Sequence, residues 1–309
     1  MNAVKPRLRV GMVGTGYWAG HVHLPSLRAH PDVELVGIWG RNNLAAERLG
    51  EQFGVDAYPD LDGLIDTVDV VDLSISPAAQ ADIATRAAKA GKHLLIEKPI
   101  ADTLKAGAAL ADAVRVQGVA AVTLLIHRLR PERAAWLDAR RAEKPTSAHA
   151  HWHSTAMRPD SPYAGSLWRK DFSPLWDVGP HIIHQLESVL GPVVAVSAFA
   201  VGQRTRVALT MIHAGGATSA VAIDMASSRD QPLQTIDVLT GTGMHNSPPL
   251  SIDGVLSHTH ALRLLRDEIR SGVTEHGFGV DVGLRTLAVL EATDRSMARD
   301  GAVVDVDIV

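Results

Sequence analysis

The sequence predicts an α/β protein of two domains, a doubly wound parallel sheet followed by an α+β domain with an open, largely antiparallel sheet. Three observations carry that expectation. From Leu8 onward, short β-branched runs alternate with helix-length segments, the signature of βαβ units whose sheet is covered on both faces. A glycine-rich turn joins the first strand to the first helix. Past Leu125 the rhythm changes to consecutive strands separated by short glycine-containing loops, which pair antiparallel. Length agrees, since 309 residues suit two domains and 46% apolar residues are enough to bury a core in each.

In the first domain, strands are expected at Leu8–Val13, Val33–Trp39, Val70–Ile75, Lys92–Glu97 and Val119–Leu124. Between them Trp18–His30, Leu44–Gln52, Gln80–Ala90 and Leu104–Gln117 read as helices, with Gly54, Gly91 and Gly118 placed to end them in a left-handed conformation. The boundary is placed so that residues 1–123 form one domain and 124–309 the other. The second domain begins with a helix at Pro131–Arg141, a strand at His149–Thr155, a Trp- and Pro-rich loop Met157–Trp176 and a helix from Pro180 to Leu190. A meander of strands follows at Val193–Val201, Arg206–Ile212, Thr218–Met225 and Thr235–Leu239. Helices at Leu256–Arg270 and Val282–Ala298 precede a last strand at Ala302–Val306.

Charge and composition exclude several function classes. Thirty Lys+Arg against 34 Asp+Glu give a net charge of −4, so no bulk positive field exists to hold nucleic acid or an anionic membrane. The absence of cysteine removes disulfides, thiolate metal sites and cysteine nucleophiles, and is compatible with a reducing compartment. No apolar leader segment precedes the first strand-like run, and no stretch approaches the ~18 apolar residues of a membrane span. A cytoplasmic protein is expected.

Val10-Gly11-Met12-Val13-Gly14-Thr15-Gly16-Tyr17-Trp18-Ala19 is a strand running into G-x-G-x-x-A at a helix start. Gly14 allows the tight turn, Gly16 lets backbone approach a pyrophosphate, and Ala19 lets helix and strand pack closely. Backbone amides of this turn and the helix dipole would hold the anion. An acid after the second strand would bond the adenosine ribose, but that stretch reads Gly37-Ile38-Trp39-Gly40-Arg41-Asn42, with no acid until Glu47. Arg41, helped by Asn42, can pair with a 2′-phosphate instead, so NADP(H) is the preferred cofactor and NAD(H) the other possibility. The competing reading makes Arg41 a solvated start to the next helix.

Glu97-Lys98-Pro99 at the end of the fourth strand, the preceding Ala90-Gly91-Lys92-His93 and the later Asp177-x-Gly179-x-His181 resemble the Gfo/Idh/MocA oxidoreductase family in order and spacing. The similarity runs from Val10 to the final helix. It implies a Rossmann domain, a substrate and oligomerisation domain built on an open sheet, and NAD(P)-dependent oxidation or reduction of sugars, cyclitols and related polyols. By the same similarity Lys98, Asp177 and His181 are the catalytic positions. Ser76, Gln80, Glu97, Lys98 and Arg169 border the cofactor with the turn residues, and His127, Arg128 and Trp168 border the nicotinamide or substrate, with solvated arginines as the alternative; His184 is a substrate contact or a packing residue. A cis bond before Pro99 is possible in this family.

The residues make chemical sense on their own terms. Lys98 sits at the carboxyl end of a strand, where open α/β sheets bind ligands, and a cation there stabilises negative charge developing on oxygen. A surface lysine is the alternative. Gly179-Pro180 looks like a helix start, which would put His181 beside the positive helix end and keep its ring neutral as a base, with Asp177 orienting the ring or holding a substrate hydroxyl. A capping Asp and a packed His are the alternative. His149, His151 and His153 share one strand face, where a sheet contact between subunits is expected rather than a metal site, because side-by-side histidines do not converge on one ion. Three departures from the family pattern bear on the substrate: Gln80 and His184 stand where many members have His and Asp, and Phe172-Ser173-Pro174 replaces a Gly-rich stretch.

The expectation is an NADP(H)-dependent oxidoreductase moving hydride to or from a secondary alcohol or carbonyl of a sugar-like small molecule. It is expected to bind no nucleic acid or membrane and to form a homodimer or homotetramer through the second-domain sheet, whose open face would otherwise be an apolar patch. Reduction of an imine or double bond, or a non-catalytic NADP-binding regulator of the same fold, remain the alternatives.

Overall fold

The computed structural model describes residues 6–161, 163, 174–201, 205–228, 233–249, 253–272 and 277–307. It divides into two units, Met1–Ile126 with Asp253–Leu284, and His127–Ile252 with Arg285–Val309.

The first unit holds β1 (Leu8–Val13), β2 (Val33–Trp39), β3 (Asp56–Ala57), β4 (Val70–Leu73), β5 (His93–Ile96) and β6 (Ala121–Thr123). All pair in parallel, in the order β3-β2-β1-β4-β5-β6 of a Rossmann sheet. Both faces are covered, which is why Val10–Val13 and all of β4 are buried and read as near-continuous apolar runs. The crossovers are α1 (Leu24–Ala29), α2 (Asn43–Phe53), α3 (Leu61–Thr67), α4 (Pro77–Lys89) and α5 (Leu104–Gln117). Asn42, Asp60 and Thr103 cap α2, α3 and α5 by accepting the N–H of Ala45, Gly63 and Ala106, each worth about 1 kcal/mol. A π-helical turn, Ala19–His23, precedes α1, and Leu24 N–H reaches back to the carbonyl of Ala19. Pro25 follows immediately and has no N–H to continue the regular pattern.

The division at residue 123 is corrected in one respect, because the first unit is discontinuous. α8 (Gly254–Ser271) returns to it, burying Ala261, Leu262 and Leu265 and joining α1 through a 2.9 Å hydrogen bond between the Ser26 and Thr259 hydroxyls. A late amphipathic helix gives no sequence sign of which sheet it covers.

The second unit comprises α6 (Pro131–Ala142), β7 (Ser147–His153), α7 (Pro174–Leu190), β8 (Val193–Val201), β9 (Arg206–His213), β10 (Thr218–Asp224), β11 (Leu233–Thr240), β12 (Gly243–Asn246), the later part of α9 (Val280–Met297) and β13 (Val304–Asp305). β8, β9 and β10 form the expected meander, but β7 enters between β10 and β11 and runs parallel to β10. The sheet is therefore mixed and largely antiparallel. β9 buries Val207, Leu209 and Met211 and exposes Ala208, Thr210 and Ile212, a period of two that gives the sheet one covered and one open face. α7 packs on β7, β9 and β10. Phe199, Ala208, Ala222 and His151 are exposed and form one cross-strand row of the open face.

α7 also corrects the expected helix start. Among the described residues it runs from Pro174 with Pro180 inside it, so His181 lies at least two turns in and not beside the N-terminal end of the helix dipole. Trp176 Nε1 donates a 2.6 Å hydrogen bond to Asp294, tying α7 to α9.

Candidate functional site

The turn after β1 is built around Gly14, whose φ of +133° only glycine adopts readily. Its N–H donates to the Trp39 carbonyl at 2.9 Å, and an added Cβ would stand 2.3 Å from the Ser74 carbonyl oxygen. The turn thus passes directly over the ends of β2 and β4, at the switch point where the strand order reverses. At Gly16 an added Cβ would meet no atom within 4 Å, and Gly20 N–H already bonds the Gly16 carbonyl. Glycine at Gly16 is therefore not required by packing. It leaves an open cradle at a helix start, which fits a dinucleotide pyrophosphate. Ala19 is fully buried beneath the turn, Thr15 and Trp18 are half-buried, and Tyr17 is exposed and stacked on His21 at 3.9 Å. Arg41 is exposed just past β2, while Asn42 caps α2. Ser76 precedes α4 without a side-chain cap bond.

Glu97-Lys98-Pro99 leaves the carboxyl end of β5, with a cis Lys98–Pro99 bond. Gln80 is buried, and its amide nitrogen bonds the carbonyls of Glu97 at 2.5 Å and Pro99 at 3.0 Å. Its N–H groups are thus committed to this turn. The Glu97 carboxylate accepts the Lys98 backbone N–H at 3.0 Å and meets His23 Nε2 at 3.3 Å. His23 Nδ1 lies 2.9 Å from Asp72 Oδ1, and His258 Nε2 lies 3.0 Å from Asp72 Oδ2. Burial opposes charge on His23, but Asp72 and then Glu97 outweigh it and raise the imidazole to about 9. Burial would raise the Asp72 carboxyl, yet His23 and His258 hold it well below the usual carboxylate range. His258 is pushed down by burial despite Asp72. The ligand-capable atoms of His23, Asp72 and His258 all lie within 4.8 Å of one another.

The sequence reading missed this cluster. Its signal was the acid inside the apolar run Val70-Val71-Asp72-Leu73, since a buried carboxylate demands a partner.

In the second unit α7 carries Asp177, His181 and His184 on one face, all buried. His181, His127 and Trp152 present nearly parallel rings, with centroids 4.1 Å apart for His127–His181 and 4.9 Å for His127–Trp152. Gln185 donates to the His181 carbonyl at 2.9 Å. Arg128 pairs with Asp138 of α6 at 3.2 Å. His149 and His151 are exposed on the open sheet face and His153 is half-buried. Trp168, Arg169, Phe172 and Ser173 lie outside the described residues.

Residues 8–124 match a family model described as an oxidoreductase family with an NAD-binding Rossmann fold. A dTDP-3,4-didehydro-2,6-dideoxy-alpha-D-glucose 3-reductase of Streptomyces antibioticus is 31% identical over 116 residues, 37% of this chain and 35% of that protein. Levoglucosan dehydrogenase of Pseudarthrobacter phenanthrenivorans is 28% identical over 214 residues, 62% of this chain and 53% of its own. The alignments thus span about a third to a half of these relatives. The solved structure of GenD2 from gentamicin A biosynthesis, in complex with NAD, superposes over 99% of this chain and 98% of its own with a TM-score of 0.87 at 21% identity, a likeness of fold. Residues 8–124 thus match the Gfo/Idh/MocA family model, and their strand order and the turn at Gly14 and Gly16 are those of an NAD-binding Rossmann domain.

Proposed function

We propose that the protein is a nicotinamide-dependent oxidoreductase that interconverts a secondary alcohol and a carbonyl on a sugar-like small molecule. One observation carries the reading: the open cradle at Gly16 and the Glu97-Lys98-Pro99 turn both stand at the carboxyl edge of one parallel sheet, the edge at which such sheets bind ligands. The names of the relatives, a deoxysugar reductase and an anhydrosugar dehydrogenase, favour carbohydrate over other carbonyl compounds.

Gly14, Thr15, Gly16 and the first turn of the helix hold the pyrophosphate through backbone N–H groups. Arg41 favours NADP(H), because it is exposed and no acid stands between Gly37 and Asn42 to repel a 2′-phosphate. The bound nicotinamide supplies the hydride chemistry. His181 exchanges the hydroxyl proton, Asp177 orients the ring or a substrate hydroxyl, and Lys98 stabilises charge on the reacting oxygen. The open sheet face with its row Phe199, Ala208, Ala222 and His151 is the contact of a homodimer or homotetramer.

Absorbance at the reduced-nicotinamide band, followed with NADP(H) and NAD(H) against a panel of polyols, keto sugars and anhydrosugars, tests the activity. Turnover of at least one member is expected. Tight cofactor binding with silence across the panel would favour a regulator instead. Light scattering at micromolar concentration tests the assembly, and a monomer would overturn it.

A further inference from the structure

Lys98 lies beyond the last hydrogen-bonded residue of β5, so something other than the sheet ladder must fix its backbone. Two side chains do so: the Gln80 amide bonds the carbonyls on either side of Lys98, and the Glu97 carboxylate accepts its N–H. Glu97 is itself held by His23, and His23 by Asp72, whose second oxygen faces His258. The His23 and His258 rings stand 4.4 Å apart. We propose that His23, Asp72 and His258 are positioning residues for Lys98, acting through the Glu97 carboxylate and without touching substrate or cofactor.

Burial, cost and placement support this. The side chains of His23, Asp72 and His258 are 0%, 0% and 1% exposed, too enclosed to meet a ligand. Replacing a buried ion pair with well-packed apolar residues is often neutral or stabilising, so stability alone does not call for four ionisable groups in this core. Their placement does, because the chain of contacts ends at Lys98. His23 closes the π-helical turn, a widening of the helix that recurs at functional sites. The groups facing His23 are Asp72 from β4, Glu97 from the end of β5 and His258 from α8. His30 is a further titratable group near His258, and burial lowers it toward the neutral form.

The inference rests on the assignment of Lys98 to the reacting oxygen. The full chain is prepared as wild type, His23→Gln, Lys98→Ala and the double variant. Turnover is read on the sugar panel, NADPH affinity by fluorescence, and the Lys98 amide and His23 ring by nitrogen-15 NMR. His23→Gln is expected to lower kcat about 10- to 100-fold, to leave KM and NADPH affinity within about threefold, and to cause no further loss in the Lys98→Ala background. In wild type both His23 ring nitrogens should be protonated at pH 7.5, and the Lys98 amide resonance should move in His23→Gln. Additive losses in the double variant, an unmoved Lys98 amide, a neutral His23 ring or a stoichiometric zinc ion in the purified protein would each overturn the proposal. If wild type turns over nothing, the oxidoreductase reading fails, and the two NMR measurements still decide the positioning role.

Discussion

The proton on His23 should make the fold less stable as pH rises, and Asp72→Asn is the substitution that exposes this. The imidazole is held at about 9 in the folded chain against 6.5 ordinarily. Between those values the folded state binds a proton that the unfolded state does not, so the contribution is complete below pH 6.5 and is lost as pH rises through 9. At about 1.36 kcal/mol for each tenfold change in proton affinity, the difference amounts to about 3 kcal/mol. His30, His93, His213 and His258 are lowered chiefly by burial, so they act in the opposite sense and below pH 6.5, where the unfolded chain gains protons first. These four therefore do not oppose His23 in the window from 6.5 to 9. Asp72→Asn removes the carboxylate 2.9 Å from Nδ1. It should cost about 3–5 kcal/mol at pH 6.5, as breaking buried pairs does, and flatten the pH dependence above it. Urea denaturation at pH 6.5, 7.5 and 9 measures both effects. A wild-type stability that changes by less than about 1 kcal/mol across this range, or a slope that survives in Asp72→Asn, would refute the reasoning.

Arg41→Ala should weaken NADP(H) far more than NAD(H), by the ~1.5–3 kcal/mol of a charge-assisted phosphate contact, in paired binding titrations; equal losses would show that Arg41 does not read the phosphate. Gly14→Ala should destabilise the chain by about 1–3 kcal/mol and abolish cofactor binding, because its φ is positive and the new Cβ would strike the Ser74 carbonyl; a melting temperature and cofactor affinity like wild type would contradict this. His181→Asn should keep cofactor binding and lose ~10²–10⁴-fold in turnover, about 3–5 kcal/mol of barrier, together with one ionisation in the pH–rate profile.

Much of this fold was legible because local and global signals agree. Leu8–Val13, Val33–Trp39, Leu104–Gln117 and Val193–Val201 have the bounds that hydrophobic period and flanking glycines gave. The Gly14 turn and Glu97-Lys98-Pro99 were readable because each needs particular residue types at a strand end. β3, α3 and β12 were missed, being two, seven and four residues long, too short for a period to declare itself. The entry of β7 beside β10 was missed because strand order across a sheet leaves no mark in local sequence. His23 and His258 are single histidines on separate helices, 235 residues apart in the chain, and acquire meaning only when both reach Asp72.

If His181 exchanges the proton as proposed, its position inside α7 changes what must prepare its ring. Two turns into α7, the ring has no terminal N–H groups beside it, so the dipole argument for a neutral imidazole lapses. The structure offers a different constraint, the nearly parallel packing of His181 on His127 at 4.1 Å, with His127 in turn on Trp152. Aromatic pairs of this kind contribute about 0.5–1.5 kcal/mol, enough to hold the ring plane for the proton exchange proposed for it. His127→Ala removes the central ring and should cost about 2- to 13-fold in kcat if that orientation is carried into the transition state. His127→Phe keeps a flat ring without a titrating nitrogen and should restore most of the loss. A loss in His127→Phe as deep as that of His181→Asn would show instead that His127 takes part in the proton exchange itself.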